Sequence, residues 1–135
     1  MANQKDSALR IDTMRSQLGR ARGLGSAKSG SHTWWMERLT SVALVPLTIW
    51  FIVSVLALLG AEQQDVAEWA ARPVNAVLLL CLVVITFRHL QLGLTAVIED
   101  YVRAEPAKMI RLLLMKAITT LAGLAGVIAV LKLAL

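Results

Sequence analysis

"PVNAVLLLCLVVITFRHLQLGLTAVIEDY", residues 73–101, decides how this chain is read. From Pro73 to about Ile98 it is apolar and long enough, at about 1.5 Å per residue, to cross a hydrocarbon layer of about 30 Å. Yet it holds an arginine and a histidine near its middle, and it finishes on two acids and a tyrosine. The first fact makes it a membrane helix. The second demands a reason, because ionisable groups at membrane depth are expensive and normally face a protein interior, a cavity or a cofactor.

Working outward, two more stretches match it in kind. Residues 39–61, "LTSVALVPLTIWFIVSVLALLGA", and residues 107–135, "AKMIRLLLMKAITTLAGLAGVIAVLKLAL", are each long enough to span. Of the 135 residues 57% are hydrophobic, and the mean hydropathy is +0.65, too apolar for an ordinary soluble domain of this length. The fold class is therefore all-α membrane protein. Three transmembrane helices are expected at about 36–61, 73–99 and 107–133, within an anchor over 34–135, behind a basic N-terminal arm over 1–33. The connectors "EQQDVAEWAAR" and "EDYVRAEP" read as short and polar. Pro73 and Pro106 sit where helices begin, which suits a residue without an N–H. Pro46 falls inside the first helix, frees the carbonyl of Val42 and should bend it.

Charge sets the expected orientation. Six basic residues precede Trp34 (Lys5, Arg10, Arg15, Arg20, Arg22, Lys28) against Asp6 and Asp12. The first connector has Arg72 against Glu62, Asp65 and Glu68. The second connector and its flank carry Arg103, Lys108 and Arg111. By the positive-inside rule the arm and second connector are cytoplasmic, and the first connector and C-terminus are outside. A basic arm ahead of a hydrophobic helix reads as a cytoplasmic flank rather than a nucleic-acid tail. The basic stretch is too long for a signal n-region, and Asp6 and Asp12 speak against a mitochondrial transit peptide, so a bacterial inner-membrane chain that keeps its N-terminus is expected. Trp34, Trp35 and Trp69 suit an aromatic belt. Cys81, alone in an apolar run, offers neither a disulfide nor a metal cluster. "GLGSAKSGS" reads as a flexible or partner-ordered loop. Small residues at four-residue spacing in the third helix (Thr119 and Gly123, Ala122 and Gly126, Ala125 and Ala129) make a face that another helix can approach closely.

His89 lies about 16 Å from the inner end of its helix and about 24 Å from the outer end. Two readings fit: a hydrogen bond across helices, or an axial ligand to a metal cofactor, most plausibly haem. The chain has one other histidine, His32, which precedes the first apolar run and sits at or outside the cytoplasmic surface. The two cannot reach one iron, so an iron held by His89 needs its opposite ligand from another polypeptide. Asp100 follows His89 by eleven residues, about 20° past three full turns, so both share one face. Asp100 and Tyr101 are either an ordinary helix end meeting water or the polar mouth of an interfacial site, Asp100 relaying a proton and Tyr101 donating to a carbonyl oxygen. Arg38 and Ser41 share a face near the inner boundary and, with His32, either line that pocket or simply anchor the interface. Arg88 points about 100° away from His89; it snorkels, pairs with a partner chain or meets a haem propionate.

These residues resemble a known family. "RGLGSAKSGSHTWWMERLTSVALVPLTIWF" (22–51), "PVNAVLLL" (73–80) and "HLQLGLTAVIEDYV" (89–102) look like the small hydrophobic membrane-anchor subunit of succinate dehydrogenase, respiratory complex II, of the alphaproteobacterial and mitochondrial type. The resemblance implies that His89 is one axial ligand of a b-type haem shared with the larger cytochrome b anchor subunit, against which the three helices pack. It implies that Tyr101 and Asp100 belong to a ubiquinone pocket near the cytoplasmic surface, and that His32 and Arg38 lie near the haem propionates or the quinone. Electrons from succinate would arrive through a flavoprotein and an iron–sulfur subunit, and this chain would be a non-catalytic subunit of the oxidoreductase. Arg88 departs from the family's pattern and takes no role from it. Two other readings stay in play: the anchor of a quinol:fumarate reductase, and a cofactor-free structural membrane protein, which would leave the His89–Asp100 face unexplained.

Overall fold

The computed structural model describes residues 30–135; the basic arm up to residue 29 lies outside the described residues. Helix α1 runs Gly30–Ala57, α2 Gln63–Ala71, α3 Pro73–Tyr101 and α4 Glu105–Ala134. No strand occurs among the described residues. The described residues form an all-helical fold, and α1, α3 and α4 are each long and apolar enough to cross a membrane.

Each boundary has a local cause. Pro73 opens α3 and Pro106 stands in the first turn of α4, positions where a missing N–H costs no helical bond. At the far end of α3 the Val102 N–H closes on the Ile98 carbonyl at 3.0 Å. Pro46 lies inside α1.

Two expectations need correcting. The first concerns α1, which starts at Gly30 and ends at Ala57, not at about 36 and 61. Its first residues, part of the expected arm and of the expected loop "GLGSAKSGS", are already helical. An apolar run marks only what crosses the hydrocarbon, whereas an established helix gains one bond per added residue whatever its polarity. At the other end, the Leu58 N–H still reaches the Ser54 carbonyl at 3.1 Å, but Gly60 takes φ +81°. That left-handed conformation, open to glycine, stops the helix inside the apolar run.

The second correction concerns the first connector, which is a nine-residue helix, α2. Asp65 accepts from the Glu62 backbone N–H at 3.3 Å across its first turn. Nine residues reach only about 14 Å, so α2 caps an end and does not span. Three contacts tie it in. Ala70 is fully buried. Asn75 of α3 donates through Nδ2 to the Trp69 carbonyl at 2.7 Å. The Trp69 ring stacks on Trp50 of α1, centroids 5.8 Å apart at an interplanar angle of 21°. Trp69, expected in an aromatic belt, thus also joins two helices.

Helices α3 and α4 form a close antiparallel hairpin. Along the seam Thr119 stands opposite Gln91, Gly123 opposite Phe87 and Gly126 opposite Val83. The approach is tight: a Cβ at Gly126 would lie 2.9 Å from Val83 Cγ1, and one at Gly123 would lie 3.3 Å from Phe87 Cβ. Of the small-residue face expected on the last helix, Thr119, Gly123 and Gly126 meet α3, whereas Ala122, Ala125 and Ala129 are exposed. Gln91 crosses the seam, its Nε2 3.0 Å from Thr119 Oγ1 and 3.3 Å from Thr120 Oγ1. Thr119 returns its own hydroxyl hydrogen to the Met115 carbonyl at 2.8 Å.

Burial is sparse. Among the described residues only Ala70, Leu79, Leu92 and Met115 are buried apolar residues, and only Thr40 and Thr119 buried polar ones. Large apolar side chains point outward on every long helix, such as Val42, Ile49 and Ile52 on α1 and Leu113, Ile118 and Leu121 on α4. In water such a surface would drive aggregation; in a bilayer it is solvated by lipid or covered by other helices.

Candidate functional site

The candidate site gathers around His89, at the middle of α3. Its Nδ1 lies 2.9 Å from Thr40 Oγ1 of α1. This bond sets the level at which the two helices meet. From it, α1 runs about 26 Å to Ala57 and α3 about 24 Å back to Pro73, so these two ends come out level. The hydrogen bond across helices, one of the two readings of His89, is therefore present. It engages one ring nitrogen only: no described residue bonds to Nε2.

Thr40 is 7% exposed, and its hydroxyl also lies 2.8 Å from the Met36 carbonyl and 2.9 Å from the Glu37 carbonyl. Nothing in the sequence singled it out. It is one threonine among several in apolar helices, and only the approach of α1 to α3 makes it matter. Ser41, placed with Arg38 on one face of α1, turns its hydroxyl back to the Glu37 carbonyl at 2.8 Å. Arg38 sets its guanidinium over the Trp34 ring, 4.3 Å from the centroid, in a cation–π contact. Trp34 in turn meets Trp35 edge to face at 5.3 Å. His32 is exposed in the first turn of α1.

Asp100 and Tyr101 end α3 about three turns from His89, both exposed, Tyr101 at 82%. Among the described residues neither makes a side-chain hydrogen bond. A groove of about 220 Å³ along the α3–α4 seam is lined by Phe87, Arg88, Gln91, Thr119, Thr120 and Gly123, among others. It contains neither His89 nor Asp100 nor Tyr101.

Arg88 finds a partner on this seam. Its Nη1 donates to Gln91 Oε1 at 2.9 Å, and Gln91 passes the connection to α4. Gln91 escaped the reading of the sequence, although a glutamine at membrane depth, three residues from an arginine, is a legible sign of a polar bridge.

No group of three or more potential metal ligands occurs among the described residues. Among the described residues the His89 imidazole is thus engaged at Nδ1 alone, which leaves Nε2 with the lone-pair chemistry a metal ligand needs. The arrangement defines a class: a polytopic helical membrane protein whose described residues are largely exposed, with an imidazole in the middle of one span and an exposed Asp-Tyr pair at its end.

Comparison makes the class particular. The chain belongs to the succinate dehydrogenase/fumarate reductase transmembrane subunit family, whose profile matches residues 12–125. It is 32% identical over 116 residues to the succinate dehydrogenase hydrophobic membrane anchor subunit of Rickettsia bellii, covering 86% of this chain and 93% of that one. The subunit of the same name from Paracoccus denitrificans is 32% identical over 81 residues, 60% of this chain and 63% of that one. The succinate dehydrogenase membrane anchor subunit of Reclinomonas americana is 26% identical over 94 residues, 67% of this chain and 78% of that one. No solved structure matches significantly.

Proposed function

We propose that this chain is the small membrane-anchor subunit of a succinate:ubiquinone oxidoreductase, itself non-catalytic, with His89 as one axial ligand of a b-type haem. The observation that carries the proposal is His89: an imidazole at mid-depth, bonded through Nδ1 to Thr40 and with Nε2 free of partners among the described residues. Neutral imidazole binds iron through such a nitrogen while the other is held by a neighbour. One ligand on this chain requires a second from a partner, a cytochrome b anchor subunit packed on the uncovered helices. The curated relatives carry the succinate dehydrogenase name, which favours succinate oxidation over fumarate reduction as the working direction.

Bound there, a b-type haem supplies one-electron chemistry between the incoming electrons and a quinone. The residues of this chain do the rest of what it contributes. Tyr101 presents a phenolic O–H that donates to a ubiquinone carbonyl oxygen at the cytoplasmic surface. Asp100, on the same face as His89, accepts and returns protons at that mouth. Their exposure in the isolated chain suits a pocket whose other walls belong to the partner anchor and the iron–sulfur subunit, with the flavoprotein beyond it. Arg38, held over Trp34, and His32 serve near the propionates or the quinone. The N-terminus lies in the cytoplasm and the C-terminus in the periplasm of a bacterial inner membrane, following the basic residues.

The test is a reduced-minus-oxidised spectrum of the purified complex. His89→Ala should lose the haem signal or convert it from low to high spin; an unchanged spectrum rejects the ligand assignment. For the quinone, Tyr101→Phe should slow succinate-to-quinone turnover at least tenfold, about 1.4 kcal/mol of transition-state stabilisation. Reduction of a soluble dye by succinate should remain intact. Equal loss in both assays removes Tyr101 from the quinone site.

A further inference from the structure

We propose that Thr40 sets the tautomer and ring orientation of His89, and is thus a positioning residue for the metal centre. The inference rests on the reading of His89 as an axial ligand and adds to it the residue that prepares the ligand.

Thr40 Oγ1 has three polar neighbours: the Met36 carbonyl at 2.8 Å, the Glu37 carbonyl at 2.9 Å and His89 Nδ1 at 2.9 Å. A hydroxyl carries one hydrogen and two lone pairs, and a carbonyl oxygen only accepts. Both carbonyl contacts therefore draw on the single hydroxyl hydrogen, shared between them as a threonine back-bond within its helix. All three contacts are satisfied together only if Nδ1–H donates to a lone pair of Oγ1. The reverse assignment, with the hydroxyl donating into a bare Nδ1, gives up both carbonyl contacts. It also puts the ring proton on Nε2, where no described residue accepts it, at a depth where an unmet N–H is costly. The proton thus stays on Nδ1, and Nε2 keeps the lone pair that an iron requires.

Orientation follows from the same geometry. Thr40 is buried, β-branched and tied back to its own helix, so its oxygen is a fixed point rather than a rotor. A ring bonded to a fixed point has its plane and tilt restrained. Ser41 does not substitute, because its hydroxyl closes on the Glu37 carbonyl. An acceptor on Nδ1–H also raises the basicity of the ligand, which favours the ferric over the ferrous state. Its removal should move the midpoint potential upward.

The experiment compares wild-type complex, Thr40→Val and Thr40→Ser with His89→Ala, measuring haem content per complex, midpoint potential by redox titration and the low-spin EPR spectrum of the oxidised form. Thr40→Val keeps the shape and removes the acceptor. It should retain haem, raise the potential and shift or broaden the EPR lines as the ring gains freedom. Thr40→Ser should restore both toward wild type. Wild-type potential and EPR in Thr40→Val overturn the proposal. In that event, loss of haem in His89→Ala leaves the ligand reading standing, and unchanged haem in His89→Ala removes both. If Thr40→Val does not assemble, Thr40→Ala takes its place with the same expectation. Failure of both alongside assembly of Thr40→Ser makes the hydroxyl a packing requirement and overturns the positioning role.

Discussion

A single added carbon at Gly126 tests the α3–α4 seam. An alanine Cβ there would lie 2.9 Å from Val83 Cγ1. Carbon atoms pack comfortably at about 3.5–4.0 Å, so the seam must open by about 0.6 Å or more, or Val83 must leave its rotamer. Valine has one strongly preferred χ1 in a helix, so the second route is also costly. Overpacking of this kind costs about 1–3 kcal/mol. An opposing effect is the helix propensity gained on replacing glycine by alanine, about 1 kcal/mol. Gly93, inside α3 with nothing within 4 Å of its own added Cβ, isolates that gain. Subtracting Gly93→Ala from Gly126→Ala cancels the propensity and leaves the clash, so Gly126→Ala should be the less stable by about 1–3 kcal/mol. Gly123→Ala, at 3.3 Å from Phe87 Cβ, should fall between them. A seam opened near Gly126 also pulls on the Gln91–Thr119 bond, now 3.0 Å, toward lengths at which it fades. The measurement is unfolding of the detergent-solubilised protein in SDS and dodecylmaltoside mixtures, followed by circular dichroism. Equal stability of Gly93→Ala and Gly126→Ala, within about 0.5 kcal/mol, would refute the close approach of α3 and α4.

Two more outcomes follow from the seam and from the end of the bundle. Gln91→Leu removes the bridge to Thr119 and the acceptor of Arg88; it should destabilise by about 0.6–2 kcal/mol in the same assay. A double-mutant cycle with Thr119→Ala should show coupling of at least about 0.5 kcal/mol, and strict additivity would mean that the bridge contributes nothing. For the Trp50–Trp69 stack, the cycle Trp50→Leu with Trp69→Leu should couple by about 0.5–1.5 kcal/mol. Absence of coupling would show that the stack contributes nothing to holding α2.

Much was legible in the residues alone, and particular residues show where that stopped. The spans, the short second connector and the shared face of His89 and Asp100 follow from run length and helix geometry. Helix α2 was legible as well, since Glu62 and Asp65 stand at capping spacing in "EQQDVAEWAAR", but its polar composition disguised it as a loop. The small-residue face announced a close neighbour without naming it. Arg88 was a puzzle that neither composition nor spacing resolved, and the answer was Gln91, one turn away on its own helix and facing α4.

The division has a physical reason. Within one helix, relative placement is set by covalent geometry and the backbone hydrogen-bond repeat, so His89 and Asp100 had to fall on one face whatever surrounded them. Between helices, a soluble protein would betray its inward faces by an apolar stripe against a polar one. In a membrane helix the outward face is as apolar as the inward one, because lipid is as apolar as a packed neighbour. Hydrophobic patterning therefore said that three helices cross the membrane, and almost nothing about which faces meet. That Thr40 meets His89, that Gln91 meets Thr119, and that Gly126 rather than Ala122 lies against α3 were decided by close packing and by the need of each deep polar group for a partner.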